Sequence, residues 1–152
     1  ILETNLGGAK EAVGNFIASY PMLKELKETQ IPKDAARGYF EGLDGRLVIC
    51  SSEHLMLAGY LQNGEAIIMK GAAEEWQREL DRLGIWYKLR TWPHDEWQTE
   101  IEDDDSTAEV VSRIQIQAIR NQAERLGLNC PLEGTTSIHN GFIGGYNWAE
   151  TH

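Results

Sequence analysis

Residues 85–101 read Ile85-Trp86-Tyr87-Lys88-Leu89-Arg90-Thr91-Trp92-Pro93-His94-Asp95-Glu96-Trp97-Gln98-Thr99-Glu100-Ile101. Aromatic and branched residues dominate the first half, which predicts a strand over 85–92; a return strand is expected over 96–101, with His94 and Asp95 in the turn between them. Strands on either side fix a turn in space. Two adjacent carboxylates there, Asp95 and Glu96, behind a histidine, have the chemistry to hold a divalent metal against a phosphate. An acidic turn is also the ordinary form of a solvated hairpin tip, and these three residues alone do not separate the two readings.

Upstream, the apolar pattern changes period. Leu57, Leu61, Ile68, Ala72, Trp76 and Leu80 fall along one stripe of a helix predicted over 53–83, ended by Gly84. Gly59, Gly64 and Gly71 each cost that helix roughly 1 kcal/mol relative to alanine, which close approach of a duplex or of the sheet would explain. Before it, residues 39–41 and 47–50 flank Asp44-Gly45, a dipeptide suited to a hairpin turn. Over 7–28, Val13, Phe16, Ile17 and Tyr20 have helical spacing, and Pro21 breaks the pattern ahead of a short turn through Leu23 and Leu26. Downstream, Ser106 and Glu109 read as a capping box for a helix through Val111, Ile114, Ala118 and Leu126, with Gly127 as terminator. The glycine-rich tail from Cys130 to His152 reads as irregular, with short strands. The order helix, hairpin, long helix, hairpin, helix predicts an α+β fold, an antiparallel sheet with helices packed on one face.

Composition limits the classes. A chain of 152 residues, 41% hydrophobic and 25% charged, fits a single globular domain, and no apolar run approaches the roughly 20 residues of a membrane span. The start, Ile1-Leu2-Glu3-Thr4-Asn5, lacks the basic and apolar regions of a signal peptide. Cys50 and Cys130 are too few for a disulfide framework or a zinc site, so two buried thiols in a reducing cytoplasm are expected. The formal net charge of −10 argues against DNA binding by this chain alone, because affinity for nucleic acid comes largely from cations. Acidic runs such as 100–105 and Glu74-Glu75 read as solvated faces. Trp76, Trp86, Trp92 and Trp97 read as packing residues around the 85–101 hairpin.

Five segments, in order, resemble the C-terminal part of a family A DNA polymerase, the bacterial DNA polymerase I type, and most closely its short phage members. Phe16-Ile17-Ala18-Ser19-Tyr20-Pro21 resembles the end of a helix after the fingers. Gly42-Leu43-Asp44-Gly45-Arg46 matches a Gly-Leu-Asp-Gly-Arg turn. Leu61-Gln62 corresponds to the minor-groove glutamine, His94-Asp95-Glu96 to the metal-binding motif C, and Asn147-Trp148-Ala149-Glu150-Thr151-His152 to a terminal Asn-Trp-x-x-x-His. The resemblance covers nearly the whole chain.

It implies a palm domain performing DNA-directed nucleotidyl transfer in DNA replication. Two magnesium ions about 3.5–4 Å apart would stabilise the attacking and leaving oxygens, and magnesium prefers hard oxygen ligands. In this resemblance Asp95 is a metal ligand, Glu96 a second carboxylate and His94 a contact to the primer-terminal phosphate. Gln62 would donate to minor-groove acceptors, which occupy similar places in every correct pair. The family usually has an asparagine four residues earlier, where this chain has Ala58. Arg46, His54 and Gln98 are candidate DNA contacts. His152 would fold back toward the site, with Trp148 anchoring the tail.

The family's first metal-binding aspartate and the fingers residues that grip the incoming dNTP have no counterpart here. The resemblance therefore implies a split polymerase in the cytoplasm, of the bacterial host if phage-encoded, and leaves open whether it is a separately encoded half or a processed product. An N-terminal polymerase fragment with fingers, thumb and the first aspartate would complete the site on primer-template DNA. Two rival readings are a catalytically idle palm-derived binding module, which Ala58 and the acidity favour, and a metal-dependent nuclease using Asp95 and Glu96 alone.

Overall fold

The computed structural model describes residues 6–50 and 52–138; the terminal segment with Asn147, Trp148 and His152 lies outside them. The chain divides into two compact units, Ile1–Asn63 and Gly64–His152. Its secondary structure is α+β, as the element order predicts, with long helices and two antiparallel hairpins.

In the first unit, α1 (Leu6–Ala18) leads into α2 (Pro21–Glu25), a π-helical turn (Leu26–Gln30) and α3 (Ile31–Arg37). Pro21 sits in the first turn of α2, where a missing N–H costs nothing, so the expected break is also a restart. The apolar face of α1 is not covered in this unit: Val13, Phe16 and Tyr20 are exposed. Gly38, at φ +81°, ends α3 with its N–H on the Asp34 carbonyl and turns the chain into β1 (Tyr39–Glu41), which pairs with β2 (Leu47–Ile49) in the register Tyr39↔Ile49. The loop between them is five residues long, 42–46, rather than a two-residue turn. Gly45 takes the positive φ of +79°, and a Cβ added to Gly42 would displace the Asn63 side-chain amide. Phe40, Ile31 and Met56 form the core of this unit.

The longest helix, α4 (Glu53–Leu83), has the limits predicted for it. Gly84 closes it at φ +69°, with Ile85 N–H bonding back to Leu80 and Gly84 N–H to Asp81. Leu61 does not belong to the buried stripe: it is 67% exposed, whereas Ala72, Trp76 and Leu80 are fully buried. Two of the three costly glycines have causes in the fold. A Cβ on Gly59 would press on the Phe40 ring of β1, and one on Gly71 would collide with Gln122 of the last helix.

In the second unit, β3 (Tyr87–Thr91) pairs antiparallel with β4 (Gln98–Ile101), and α5 (Asp105–Arg125) follows. The helix cap is not the Ser106–Glu109 box. Asp104 is the N-cap, accepting from Thr107 N–H at 2.7 Å, while Ser106 donates its hydroxyl to the same carboxylate. At the other end Leu128 N–H reaches the Ala123 carbonyl past Gly127, as expected of a glycine terminator. The core consists of Ala72, Ala73, Trp76, Leu80, Val111 and Ala118, with one face of the hairpin packed on it. Residues 129–138 run irregularly along α5, held by the Arg120–Glu133 ion pair at 2.7 Å and a Ser112–Thr136 hydrogen bond.

Three further expectations are corrected. Cys130 is exposed and Cys50 only half-buried, so neither thiol is a core residue. Trp86 is 50% exposed and does not join the packing of its neighbours. Glu75 is no solvated face: it is half-buried and accepts from both Asn121 and Gln122 of α5, which ties α5 to α4. Among the described residues no helix is long and apolar enough to cross a membrane.

Candidate metal and nucleic-acid site

The β3–β4 hairpin carries the acidic tip. A register shift between Leu89 and Thr91 gives β3 one extra residue before Thr91 pairs with Gln98; such a bulge sharpens the twist and re-aims the side chains beyond it. Past that pair Trp92 and Trp97 meet edge to face at 6.0 Å, and Trp97 in turn lies 5.7 Å from the buried Trp76 of α4. Pro93 and Glu96 close the turn through the Glu96 N–H and the Pro93 carbonyl at 3.0 Å. His94 and Asp95 are its central residues, as predicted, and both are exposed.

His94 has φ +50°, the one non-glycine positive φ among the described residues. A left-handed backbone costs an L-residue about 1–2 kcal/mol, and the first central position of such a turn is usually glycine. The His94 imidazole makes no hydrogen bond among the described residues; instead its carbonyl accepts from the Trp92 indole N–H at 3.0 Å.

The two carboxylates differ. Asp95 has no hydrogen-bond or ion-pair partner among the described residues. Glu96 is half-buried and its Oε1 accepts from Gln98 Nε2 at 2.8 Å. Gln98, a candidate DNA contact by sequence, thus spends part of its amide on the neighbouring acid. Lower on the ladder Arg90 pairs with Glu100 across the strands, and Gln115 of α5 donates to Thr99 at 3.1 Å.

Asp95 and Glu96 suit a magnesium ion in donor chemistry, being hard oxygen ligands on a fixed turn, and magnesium bound by one or two carboxylates completes its shell with water and phosphate. Among the described residues no group of three or more His, Cys, Asp or Glu converges, so further acidic ligands to such an ion would come from elsewhere.

In the first unit, the structure brings three sequence positions onto one face of α4. His54, Ala58 and Gln62 are all exposed at four-residue spacing, so His54 and Gln62 lie about 12 Å apart along the axis. Arg46 is also exposed but engaged: its Nε donates to Asp44 Oδ2 at 2.5 Å and its backbone N–H to Oδ1 at 3.2 Å. Desolvation works against the Asp44 charge, but these Arg46 contacts outweigh it and hold the carboxyl below its usual range. His152 lies outside the described residues.

Solved structures include one with a similar fold. A similar fold is found in the POL domain of Pol1 from M. smegmatis, solved in complex with DNA primer-template and dNTP, at a TM-score of 0.68 and 14% sequence identity. The chain has a polymerase-like fold. The likeness covers 79% of this chain and 23% of that one. Neither a protein-family model nor a curated protein matches the sequence.

Two features of this tip were missed in the sequence: the Trp92 donor to His94 and the Gln98 hold on Glu96. A buried indole usually finds a partner for its N–H, but the Trp76 and Trp97 N–H groups have none among the described residues, so a tryptophan two residues before a turn was only a weak signal. The Gln98 contact had none, because a glutamine on a strand has many possible partners.

Proposed function

We propose that these residues form the C-terminal palm portion of a family A DNA-directed DNA polymerase, contributing motif C to a two-metal nucleotidyl transfer. The observation that carries this reading is an exposed, unpartnered Asp95 carboxylate at the tip of a stiff hairpin in a polymerase-like fold. In the reaction a primer 3′-hydroxyl attacks the α-phosphate of a dNTP and pyrophosphate leaves. Magnesium, when bound, supplies charge neutralisation at the attacking and leaving oxygens.

This chain's residues take separate tasks. Asp95 binds the metal with its free carboxylate, and Glu96, restrained by Gln98, sets the field beside it. His94 offers an imidazole to the primer-terminal phosphate. On α4, Gln62 donates to the minor-groove acceptors while His54 contacts the DNA backbone; Arg46 joins it on exchanging Asp44 for a phosphate. We assign the first catalytic aspartate, the fingers, the thumb and most of the cationic DNA channel to an N-terminal polymerase fragment, a split of the phage-like kind. The formal net charge of −10 supports this assignment, because these residues supply few of the cations that neutralise phosphate.

A second reading, a palm-derived binding module without catalysis, is favoured by Ala58, which leaves no donor between His54 and Gln62. Primer extension separates the two. Mixed with an N-terminal polymerase fragment, primer-template, dNTPs and magnesium, the chain should extend the primer, and Asp95→Ala should abolish extension with the complex still assembled. Extension that survives Asp95→Ala excludes the ligand role; assembly without extension in the wild type favours the idle module.

A further inference from the structure

The geometry points to Trp92 as a positioning residue for Asp95: its indole N–H fixes the peptide that joins His94 to Asp95. This inference deepens the proposed role of Asp95 and rests on it.

The carbonyl that accepts from Trp92 Nε1 at 3.0 Å is that of His94, hence the oxygen of the central peptide of the Pro93–Glu96 turn. Positive φ falls on His94 and not on Asp95. Two turns share a positive φ at the first central position and differ by a flip of that central peptide: one keeps the second residue at negative φ, the other drives it positive. A flip would swing the carbonyl away from Trp92, carry Asp95 into the left-handed region and turn its carboxylate to a new direction. The hydrogen bond opposes that flip. Trp92 is itself held, because its ring packs on Trp97 and Trp97 packs on the fully buried Trp76. A line of three indoles therefore runs from the helical core to the peptide behind the proposed ligand.

The arrangement also explains why histidine can stand where glycine is the usual residue. Glycine would relieve the strain but free the peptide to flip, and it would remove the imidazole. Trp92 keeps the imidazole and the strained backbone together at the tip, the kind of conformation that surrounding structure must over-determine.

Trp92→Phe keeps an aromatic ring beside Trp97 and deletes the donor together with part of the indole's bulk. In the isolated chain, amide resonances of Asp95 and Glu96 should double or broaden in the variant while the chain still melts cooperatively, at a midpoint lowered only by the lost ring packing. In the wild type the Trp92 indole proton should exchange with solvent more slowly than that of exposed Trp86. Unchanged Asp95 and Glu96 resonances, or equal exchange of the two indoles, overturn the proposal. In the assembled polymerase, Trp92→Phe should lower kcat by between about tenfold and a hundredfold with the KM for primer-template unchanged. A loosened tip with wild-type kcat overturns the positioning role and leaves Asp95 as a ligand. Loss of the Asp95 role itself shows instead as extension surviving Asp95→Ala, and the resonance test stands apart from that outcome.

Discussion

The hydroxyl of Tyr60 on α4 donates to the carboxylate of Asp34 on α3, 26 residues away in sequence. Asp34 is 1% exposed and also accepts from Gln30 Nε2 at 2.8 Å and from the Arg37 guanidinium. Tyr60 stacks on Phe40 with ring centroids 4.2 Å apart, so this polar cluster sits against the apolar core of the first unit. A buried charge that loses one of its donors is left with part of its desolvation cost uncompensated. Tyr60→Phe should therefore destabilise the chain by about 1–3 kcal/mol, read as a shift in denaturant midpoint. An unchanged midpoint would mean that Gln30 and Arg37 suffice.

The same pair predicts a pH dependence with opposite signs at its two ends. Burial alone would raise the Asp34 pKa, but Tyr60, Gln30 and Arg37 outweigh it and hold the carboxyl below its ordinary 3.8. A depressed carboxyl pKa adds stability above the unfolded value, and that contribution disappears as pH falls through the folded one. Tyr60 is shifted the other way, pushed up from 10.0 to about 12 by burial and by the Asp34 charge. Its contribution is complete below 10.0 and fades as pH rises toward about 12. The phenolate absorbance lost in Tyr60→Phe should accordingly appear near pH 12; a difference signal with an ordinary tyrosine midpoint would contradict the buried pair.

Helix capping supplies a sharper contrast between the sequence reading and the fold. Asp104 Oδ2 serves both Thr107 N–H and the Ser106 hydroxyl, and these bonds hold its pKa low. Asp104→Ala should cost about 1 kcal/mol and Ser106→Ala appreciably less, by thermal or denaturant melts. The reverse order would restore Ser106 as the cap.

That error shows which features of this sequence are legible. The limits of α4 were readable because Gly84 follows a long periodic stretch and can take the left-handed backbone that a helix stop requires. The turn holding His94 and Asp95 was readable from the aromatic strand before it and the alternation after it. The cap was not, because Asp103, Asp104, Asp105 and Ser106 are all able caps and the choice depends on where the chain leaves β4. Helix α3 escaped notice because Pro32 reads as a breaker, yet it sits within the first turn, where proline is tolerated. Asp34 belongs to a short polar segment and acquires a buried role only through Tyr60, a contact no local pattern encodes. Leu61 matched the apolar period but stands on the uncovered side of the helix. At the tip, residue types were visible in advance; the positive φ of His94 and its tie to Trp92 are matters of turn geometry and were not.

Glycines in helices give a paired test. At Gly71 an added Cβ would stand 2.3 Å from Gln122 Oε1, and Gln122 is 2% exposed and holds Glu75 through its amide, so it has little room to yield. Overpacking of this kind costs about 1–3 kcal/mol, against roughly 1 kcal/mol gained in helix propensity. Gly71→Ala should be neutral to destabilising. Gly14 in α1 has nothing within 4 Å of the same position, and Gly14→Ala should stabilise by up to about 1 kcal/mol. Equal effects at the two sites would mean that α5 does not crowd Gly71.

Ala58 offers the most direct test of the exposed face of α4. It lies between His54 and Gln62 on that face and is itself exposed, so Ala58→Asn has room and should destabilise by no more than about 0.7 kcal/mol, the helix-propensity difference. In the proposed polymerase it adds a second side-chain amide beside Gln62, one turn along the helix. Minor-groove acceptors fall in shared places only in correct pairs, so the added donor should strengthen with matched primer ends and fail with mismatched ones. A neutral hydrogen bond contributes about 0.5–1.5 kcal/mol, which corresponds to a gain of roughly twofold to tenfold in the ratio of matched to mismatched extension. Gln62→Ala should move that ratio the other way. Both substitutions leaving it unchanged, with extension otherwise intact, would show that this face of α4 does not read the primer terminus.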